Sequence, residues 1–148
     1  MESTKQVASM LISNGFSVIP VNDSKKPQIP WKEYQSRIMN EHEVNKHFEL
    51  SPSIGMVCGQ ISEGLEVMDF DLKYDHTGKL WDNFMSELDI LYPDLFKLIS
   101  ESVVTTKNKG KHIYYRCKEI EGNQVLAKGH DNHPLIETRG EGGYVVAP

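Results

Sequence analysis

Residues 65–71 read Leu-Glu-Val-Met-Asp-Phe-Asp, an apolar run that ends in two acidic residues. The run predicts a buried strand from Leu65 to Asp71, in which side chains two positions apart point to the same face. We therefore expect Asp69 and Asp71 to project together from the carboxyl end of this strand. Two anions held close together repel each other unless a cation or protons intervene. Carboxylate oxygens are ligands that Mg²⁺ and Mn²⁺ prefer. The alternative is that Asp69 and Asp71 only end the strand in a solvated turn.

The composition is that of an ordinary globular domain. The chain has 148 residues, 39% hydrophobic and 25% charged, with a formal net charge of −5. This length allows a real hydrophobic core, and the acidic balance argues against a surface covered by nucleic acid on all sides. Basic residues gather between Thr105 and Lys118, where there are no acids. This segment predicts either a surface that binds phosphates or a solvated hairpin rich in lysine.

The cysteines and the apolar runs indicate the cellular location of the protein. Cys58 and Cys117 each stand alone, so a zinc site built from thiolates is not expected, and a domain of this size needs no disulfide. The first residues lack the apolar core of a signal peptide, and no run reaches the roughly 20 apolar residues of a membrane span. We expect a cytoplasmic protein that does not contact a membrane.

The order of predicted elements favours an α+β domain. Strands come in adjacent pairs, which favours a largely antiparallel sheet flanked by helices over a doubly wound parallel sheet. Strands 53–59 and 65–71 are expected to form a hairpin or to be near neighbours, and strands 135–139 and 144–147 to form a hairpin around the glycine-rich residues 140–143. The other predicted elements are a helix ending at Asn14-Gly15, a strand 16–21, a short helix 40–48, a helical region 79–99 broken at Pro93, and strands 102–106 and 112–117.

Polar residues on three of these strands can meet if the strands are neighbours. They are Asp69 with Asp71, His112 after Gly110-Lys111, and Glu137. Three carboxylates would hold one or two divalent ions, which lie about 3.5–4 Å apart in two-metal sites. His112 and the adjacent lysines would then meet the phosphates of a nucleotide. Taken alone, a histidine on a strand is more often structural.

In their order and spacing these motifs resemble the primase-polymerase type of the archaeo-eukaryotic primase superfamily. The resemblance rests on Asp69-Phe70-Asp71 after an apolar strand, on Gly110-Lys111-His112 before an aromatic strand, and on Glu137 in a later strand. Further similarity lies in residues 15–21, in Lys26-Pro27 with Trp31, and in residues 54–59. The resemblance covers nearly the whole chain. It implies a single catalytic domain over residues 1–148 with a primase-polymerase-like core.

Two features depart from the family pattern. The third acidic position often carries aspartate, and here it is Glu137. Family members also continue through further strands and helices, so we expect the C-terminal part of the core to be missing after Pro148. The chain would then be a fragment or the front of a larger replication protein, with weak or absent activity in isolation.

The resemblance implies a DNA primase and DNA polymerase that performs template-directed nucleotidyl transfer with Mg²⁺ or Mn²⁺. Asp69, Asp71 and Glu137 would be the metal ligands. His112 would bind the phosphates of the incoming nucleotide, with Lys111 and Arg139 assisting. The implied partners are single-stranded or primed DNA template, nucleoside triphosphates and a helicase domain or subunit. The chain itself has no GxxxxGK[ST] phosphate loop.

Two other functions stay open at this point. A metal-dependent nuclease also uses clustered carboxylates, and Glu137-Thr138-Arg139 imitates the acid-x-lysine pair of such enzymes. Arginine is effectively always protonated, however, and is a poor substitute for that lysine. An inactive fragment or module is the second alternative, binding single-stranded nucleic acid through the basic and aromatic strand from His112 to Arg116.

Overall fold

The computed structural model describes all residues from 1 to 148 and has an α+β fold with two antiparallel sheets, as the sequence predicted. The helices are α1 (Thr4–Ser13), α2 (Glu41–His47), α3 (Leu80–Leu91) and α4 (Pro93–Ser102). The strands are β1 (Ser17–Val21), β2 (Ser53–Val57), β3 (Leu65–Phe70), β4 (Val104–Thr105), β5 (Lys111–Arg116), β6 (Gln124–Lys128), β7 (Pro134–Arg139) and β8 (Tyr144–Val146). Short 3₁₀ turns lie at Lys32–Gln35, Gln60–Ser62 and Leu72–Tyr74. None of the helices combines the length and the apolar character needed to cross a membrane.

The chain divides into two compact units, each built from separate segments. The first contains residues 1–66, 116–123 and 139–147, and the second contains residues 67–115, 124–138 and 148.

The first unit is organised around a three-stranded antiparallel sheet in the order β1-β2-β8. Helix α1 begins at a capping box, in which the Ser3 and Gln6 side chains each bond to the other residue's backbone. It ends at Asn14, and Gly15 follows with a φ of +87°, a conformation in which glycine has no steric penalty. Apolar side chains of α1, β1, α2 and β2 form one core, which includes Ala8, Val18, Ile19, Val44, Phe48 and Val57.

The second unit contains most of a five-stranded sheet in the order β4-β5-β3-β7-β6, with β3 in the centre. Helices α3 and α4 pack on one face of this sheet, where Leu88 and Ile99 meet Phe70 and Ile113. The rings of Phe70 and Trp81 make an edge contact with centroids 5.0 Å apart. Pro93 occupies the first turn of α4, where its missing N–H costs nothing. The predicted break of the helical region at Pro93 is therefore confirmed.

The structure differs from the sequence prediction in the pairing of strands and in the bounds of several of them. The expected hairpin of β7 with β8 is wrong, because β7 belongs to the five-stranded sheet and β8 to the three-stranded sheet. The glycine-rich residues 140–143 thus carry the chain from one sheet into the other. The predicted strands 53–59 and 65–71 are near neighbours through one antiparallel bridge between Gly59 and Leu65, but they do not form a hairpin, because β2 and β3 belong to different sheets. Strand β3 ends at Phe70, one residue earlier than predicted, and edge strand β6 was not predicted at all.

Candidate active site

The alternation of side chains places three predicted site residues on one face of the five-stranded sheet. Phe70, Ile113 and Ile136 all pack in the cluster beneath α3 and α4. Their neighbours along the strands, which are Asp69, His112 and Glu137, therefore point to the opposite face. The face that carries the polar residues is the one that α3 and α4 leave uncovered.

The register of the strands places these residues in one row. The Asp71 amide donates to the carbonyl of Leu135 at 2.9 Å, and counting two residues along each antiparallel strand puts Asp69 opposite Glu137. On the other side of β3, the Cys117 amide donates to the carbonyl of Gly64 at 2.8 Å. Counting five residues from that pair puts Asp69 opposite His112. Asp69 thus occupies the central strand, with His112 and Glu137 as its cross-strand neighbours.

A direct contact joins two of the three residues. Nε2 of His112 lies 3.4 Å from Oδ1 of Asp69, and the side chains are 10% and 26% exposed. The other ring nitrogen, Nδ1, lies 3.2 Å from the hydroxyl of Tyr114, two residues further along the same strand. The imidazole is therefore held at both nitrogens, which fixes the orientation of its plane. Sequence analysis did not single out Tyr114 for this position, although a tyrosine two residues after a strand histidine must share its face.

Asp71 stands just beyond the end of β3. Its backbone has φ −90° and ψ 77°, and it precedes the 3₁₀ turn Leu72–Tyr74. Because its amide is still bonded to Leu135 on β7, its side chain leaves the backbone on the same side as Asp69. No hydrogen bond or ion pair within the chain engages its carboxylate.

The donor set of this face fits a hard divalent cation by its chemistry. Asp69, Asp71 and Glu137 supply only oxygen ligands, which Mg²⁺ and Mn²⁺ prefer. Glu137 already takes part in an interaction within the chain, and the structure contains no set of three or more His, Cys, Asp or Glu side chains arranged for a metal ion. The role of the three residues as a metal site therefore stays a prediction.

One predicted nucleotide-binding residue, Lys111, points away from the Asp69–His112 pair. Lys111 donates to the hydroxyl of Thr105 at 2.8 Å, and its Nζ lies 5.8 Å from the ring centroid of Trp81. It therefore points to the face covered by the helices, opposite to His112. Arg139 belongs to the first unit. Its charge there opposes the effect of burial, which raises the pKa of the Cys58 thiol to about 12.

Gly110 fixes the start of β5 against the end of β3. A Cβ at this position would lie 2.6 Å from the carbonyl oxygen of Phe70 and 3.1 Å from the Thr106 hydroxyl. The contact with the Phe70 carbonyl oxygen is too short for a Cβ, and a backbone atom cannot move aside as a flexible side chain can. Only glycine therefore fits at this position. The close approach sets the register that brings His112 beside Asp69.

Comparison with known protein families gives a match. The family model described as "bifunctional DNA primase/polymerase, N-terminal" matches residues 8–148. The chain therefore belongs to this family of DNA primase/polymerase domains, and the resemblance seen in its motifs is confirmed. None of the curated proteins compared with the chain matches it significantly.

Proposed function

We propose that the chain catalyses template-directed nucleotidyl transfer, in which a primer 3′-hydroxyl or an initiating nucleotide attacks the α-phosphorus of a nucleoside triphosphate. One observation carries this proposal. In a member of the DNA primase/polymerase family, Asp69 lies between His112 and Glu137 on neighbouring strands, on the face that the helices of the unit leave open.

In this proposal Asp69, Asp71 and Glu137 hold one or two Mg²⁺ or Mn²⁺ ions. Such an ion, when bound, lowers the pKa of the attacking hydroxyl and offsets the charge on the leaving pyrophosphate. The chain contributes the arrangement of the carboxylates. Asp69 lies on the central strand β3 and Glu137 on its neighbour β7, so hydrogen bonds between strands fix both, and Asp71 is tied to β7 through its amide. Ligands on strands are held more rigidly than ligands on loops, which suits a reaction that depends on positioning.

His112 is proposed to bind the phosphates of the incoming nucleotide. Its Nε2 faces Asp69, while Tyr114 occupies Nδ1. A phosphate that takes the place of Asp69 beside Nε2 would accept a hydrogen bond from the imidazole, and such bonds are strong when one partner is charged. Lys111 is left out of this proposal because its side chain lies over Trp81. A phosphate-binding role for Arg139 stays a prediction of the family resemblance.

The substrates, the cellular process and the location are also part of this proposal, and they rest on the family and on the two cysteines of the chain. The substrates would be single-stranded or primed DNA and nucleoside triphosphates, and the process would be DNA replication, with a helicase domain or subunit as a partner. Both cysteines are free thiols, which supports a reducing cytoplasm as the location.

Incubation with a primed DNA template, nucleotides and Mn²⁺, followed by a denaturing gel, separates the candidate functions. Extended primers support the proposal. Shortened primers indicate a nuclease, and a native-gel mobility shift without either change indicates a binding module. The double variant Asp69→Asn with Asp71→Asn should lose extension while keeping its melting temperature. Glu49→Gln, at an exposed position in the first unit, is the matched control and should extend primers like the unaltered chain.

A further inference from the structure

Large apolar side chains are exposed where α3 meets α4, and this surface is here called the α3–α4 patch. Its members are Ile90, Leu91, Tyr92, Leu95 and Leu98, which are 78%, 65%, 62%, 45% and 63% exposed. Single exposed apolar residues are ordinary, but a contiguous apolar patch on a globular unit marks an interaction site. These five residues lie within nine consecutive positions of the chain, on the two helices that pack on the five-stranded sheet.

The apolar stripe of helix α4 is wider than the part of it that contacts the core. Phe96 and Ile99 pack with Leu88 against the five-stranded sheet. Leu95 and Leu98 are three residues apart, so they are neighbours on the surface of the helix, and both are exposed. Leu95 also lies one turn before Ile99, so the two leucines continue the core stripe to the helix surface. This exposed part of the stripe is not covered by the chain.

A groove next to these leucines provides room for an inserted side chain. It has a volume of about 180 Å³ and is lined by Phe84, Glu87, Leu88, Leu91 and Tyr92. Phe84 and Leu88 belong to the core cluster, whereas Leu91 and Tyr92 belong to the α3–α4 patch. The groove therefore extends the patch toward the core. An aliphatic or aromatic anchor in such a depression is the usual centre of a protein interface.

The charges around the patch define what can bind there. Helices α3 and α4 carry five acidic residues and one lysine, all exposed. Glu87 lies one turn before Leu91, Asp94 one turn before Leu98, and Glu101 one turn after Leu98. None of the acidic side chains forms an ion pair within the chain. An apolar strip flanked by unpaired carboxylates is complementary to an apolar strip flanked by cations, and it repels anionic surfaces.

We propose that the α3–α4 patch is a docking surface for an amphipathic helix of another protein. That helix would carry a stripe of apolar residues flanked by lysine or arginine. Its apolar side chains would cover Leu91, Leu95 and Leu98, and one of them would enter the groove beside Tyr92. Its cations would pair with Glu87, Asp94 and Glu101 at the rim. The proposal does not depend on the catalytic function, because none of these residues lies on the face of the sheet that carries Asp69.

Selection from a displayed peptide library tests the proposal on the full chain. Each peptide has about 16 residues with leucine at helical spacing, and the flanking positions are random among Lys, Arg, Asp, Glu, Ser and Gln. We expect enrichment of Lys and Arg at the flanks. The selected peptides should bind the Leu91→Ser/Leu98→Ser variant at least about tenfold more weakly, which corresponds to about 1.4 kcal/mol. Salt should weaken their binding to the unaltered chain.

Leu50→Ser is the matched control, because Leu50 is 93% exposed and lies in the first unit. This variant should bind the selected peptides like the unaltered chain. Failure to enrich any peptide, enrichment of neutral or acidic flanks, or equal binding by the Leu91→Ser/Leu98→Ser variant would overturn the proposal. Sedimentation that shows the chain pairing with a second copy through these leucines would overturn it as well. So would binding of the patch to vesicles of anionic lipid.

Discussion

Nε2 of His112 lies 3.4 Å from Oδ1 of Asp69, so one contact joins two motifs that are far apart in the sequence. The central position of β3 makes this possible, because a residue in its middle has cross-strand neighbours on both sides. On the other side the register places Glu137. Asp69 therefore has an imidazole as its neighbour on one strand and a second carboxylate as its neighbour on the other.

Replacement of His112 should affect the nucleotide more than the template. We expect His112→Asn to raise the KM for nucleoside triphosphate by roughly 10- to 150-fold, the effect of losing a hydrogen bond to a charged group worth about 1.5–3 kcal/mol. The dissociation constant for primed template should change by much less. Steady-state primer extension and fluorescence anisotropy measure the two quantities. A larger effect on the template constant would place His112 at the nucleic acid instead.

Tyr114 should act by orienting His112. Its hydroxyl lies 3.2 Å from Nδ1, and Tyr114→Phe removes that partner while keeping the ring. Loss of one hydrogen bond of about 1 kcal/mol predicts a several-fold rise in the KM for nucleotide. The nitrogen chemical shifts of the His112 imidazole should also change. Tyr92→Phe, at an exposed tyrosine, serves as the control; unchanged His112 shifts in Tyr114→Phe would show that the tyrosine does not orient the ring.

Gly110→Ala should destabilise the second unit. The new Cβ would meet the Phe70 carbonyl oxygen at 2.6 Å, and backbone must move to relieve that contact. We expect a loss of about 1–3 kcal/mol in the free energy of unfolding, typical of overpacking. Gly122→Ala is the control, because the nearest atom to its new Cβ is 3.7 Å away. Urea denaturation compares them, and equal losses would refute the steric explanation.

Acid should weaken the first unit through Glu43. Hydrogen bonds from the Arg37 guanidinium, and from the Asn40 amide, lower the pKa of Glu43 from 4.5 to about 2. A carboxyl group with a lowered folded-state pKa contributes stability that is present above about pH 4.5 and is lost as the pH falls toward 2.

Urea denaturation at a series of pH values measures this contribution as the difference between the unaltered chain and Glu43→Gln. The difference should be largest above pH 4.5 and should shrink as the pH approaches 2. Glu49→Gln, which alters an exposed glutamate, should show no such trend. A difference that stays constant from pH 6 to pH 2 would mean that the Glu43 charge does not contribute to stability.

Local sequence signals predicted the elements well. Either Ser3 or Thr4 could cap the first helix by sequence, and the structure has Ser3 there; Asn40 caps α2, Asn14-Gly15 ends α1, and Pro93 separates α3 from α4. In each case the decisive interaction lies within a few residues, so the sequence contains all the information needed. Edge strand β6 escaped prediction because four of its five residues are exposed and it shows no alternation of buried and exposed positions.

The pairing of strands was harder to predict, because it depends on contacts between distant segments. Gly140–Gly143 has the composition of a hairpin turn, yet β7 pairs with β6 and β3, while β8 pairs with β2. For the candidate site, spacing alone placed Asp69, His112 and Glu137 on strands, but only the register shows them as cross-strand neighbours. Lys111 shows the same limit, since one residue along β5 changes the face on which a side chain lies.

The most direct test of the account is where Mn²⁺ binds. In NMR spectra of the full chain, small additions of Mn²⁺ should broaden the imidazole resonances of His112 first, because the ion would lie beside Asp69. His42 and His47, on helix α2 of the first unit, serve as internal references. The double variant Asp69→Asn with Glu137→Gln should abolish the selective broadening of His112. If His112 stays sharp while other histidines broaden, or if the double variant behaves like the unaltered chain, the carboxylate row around Asp69 is not a cation site.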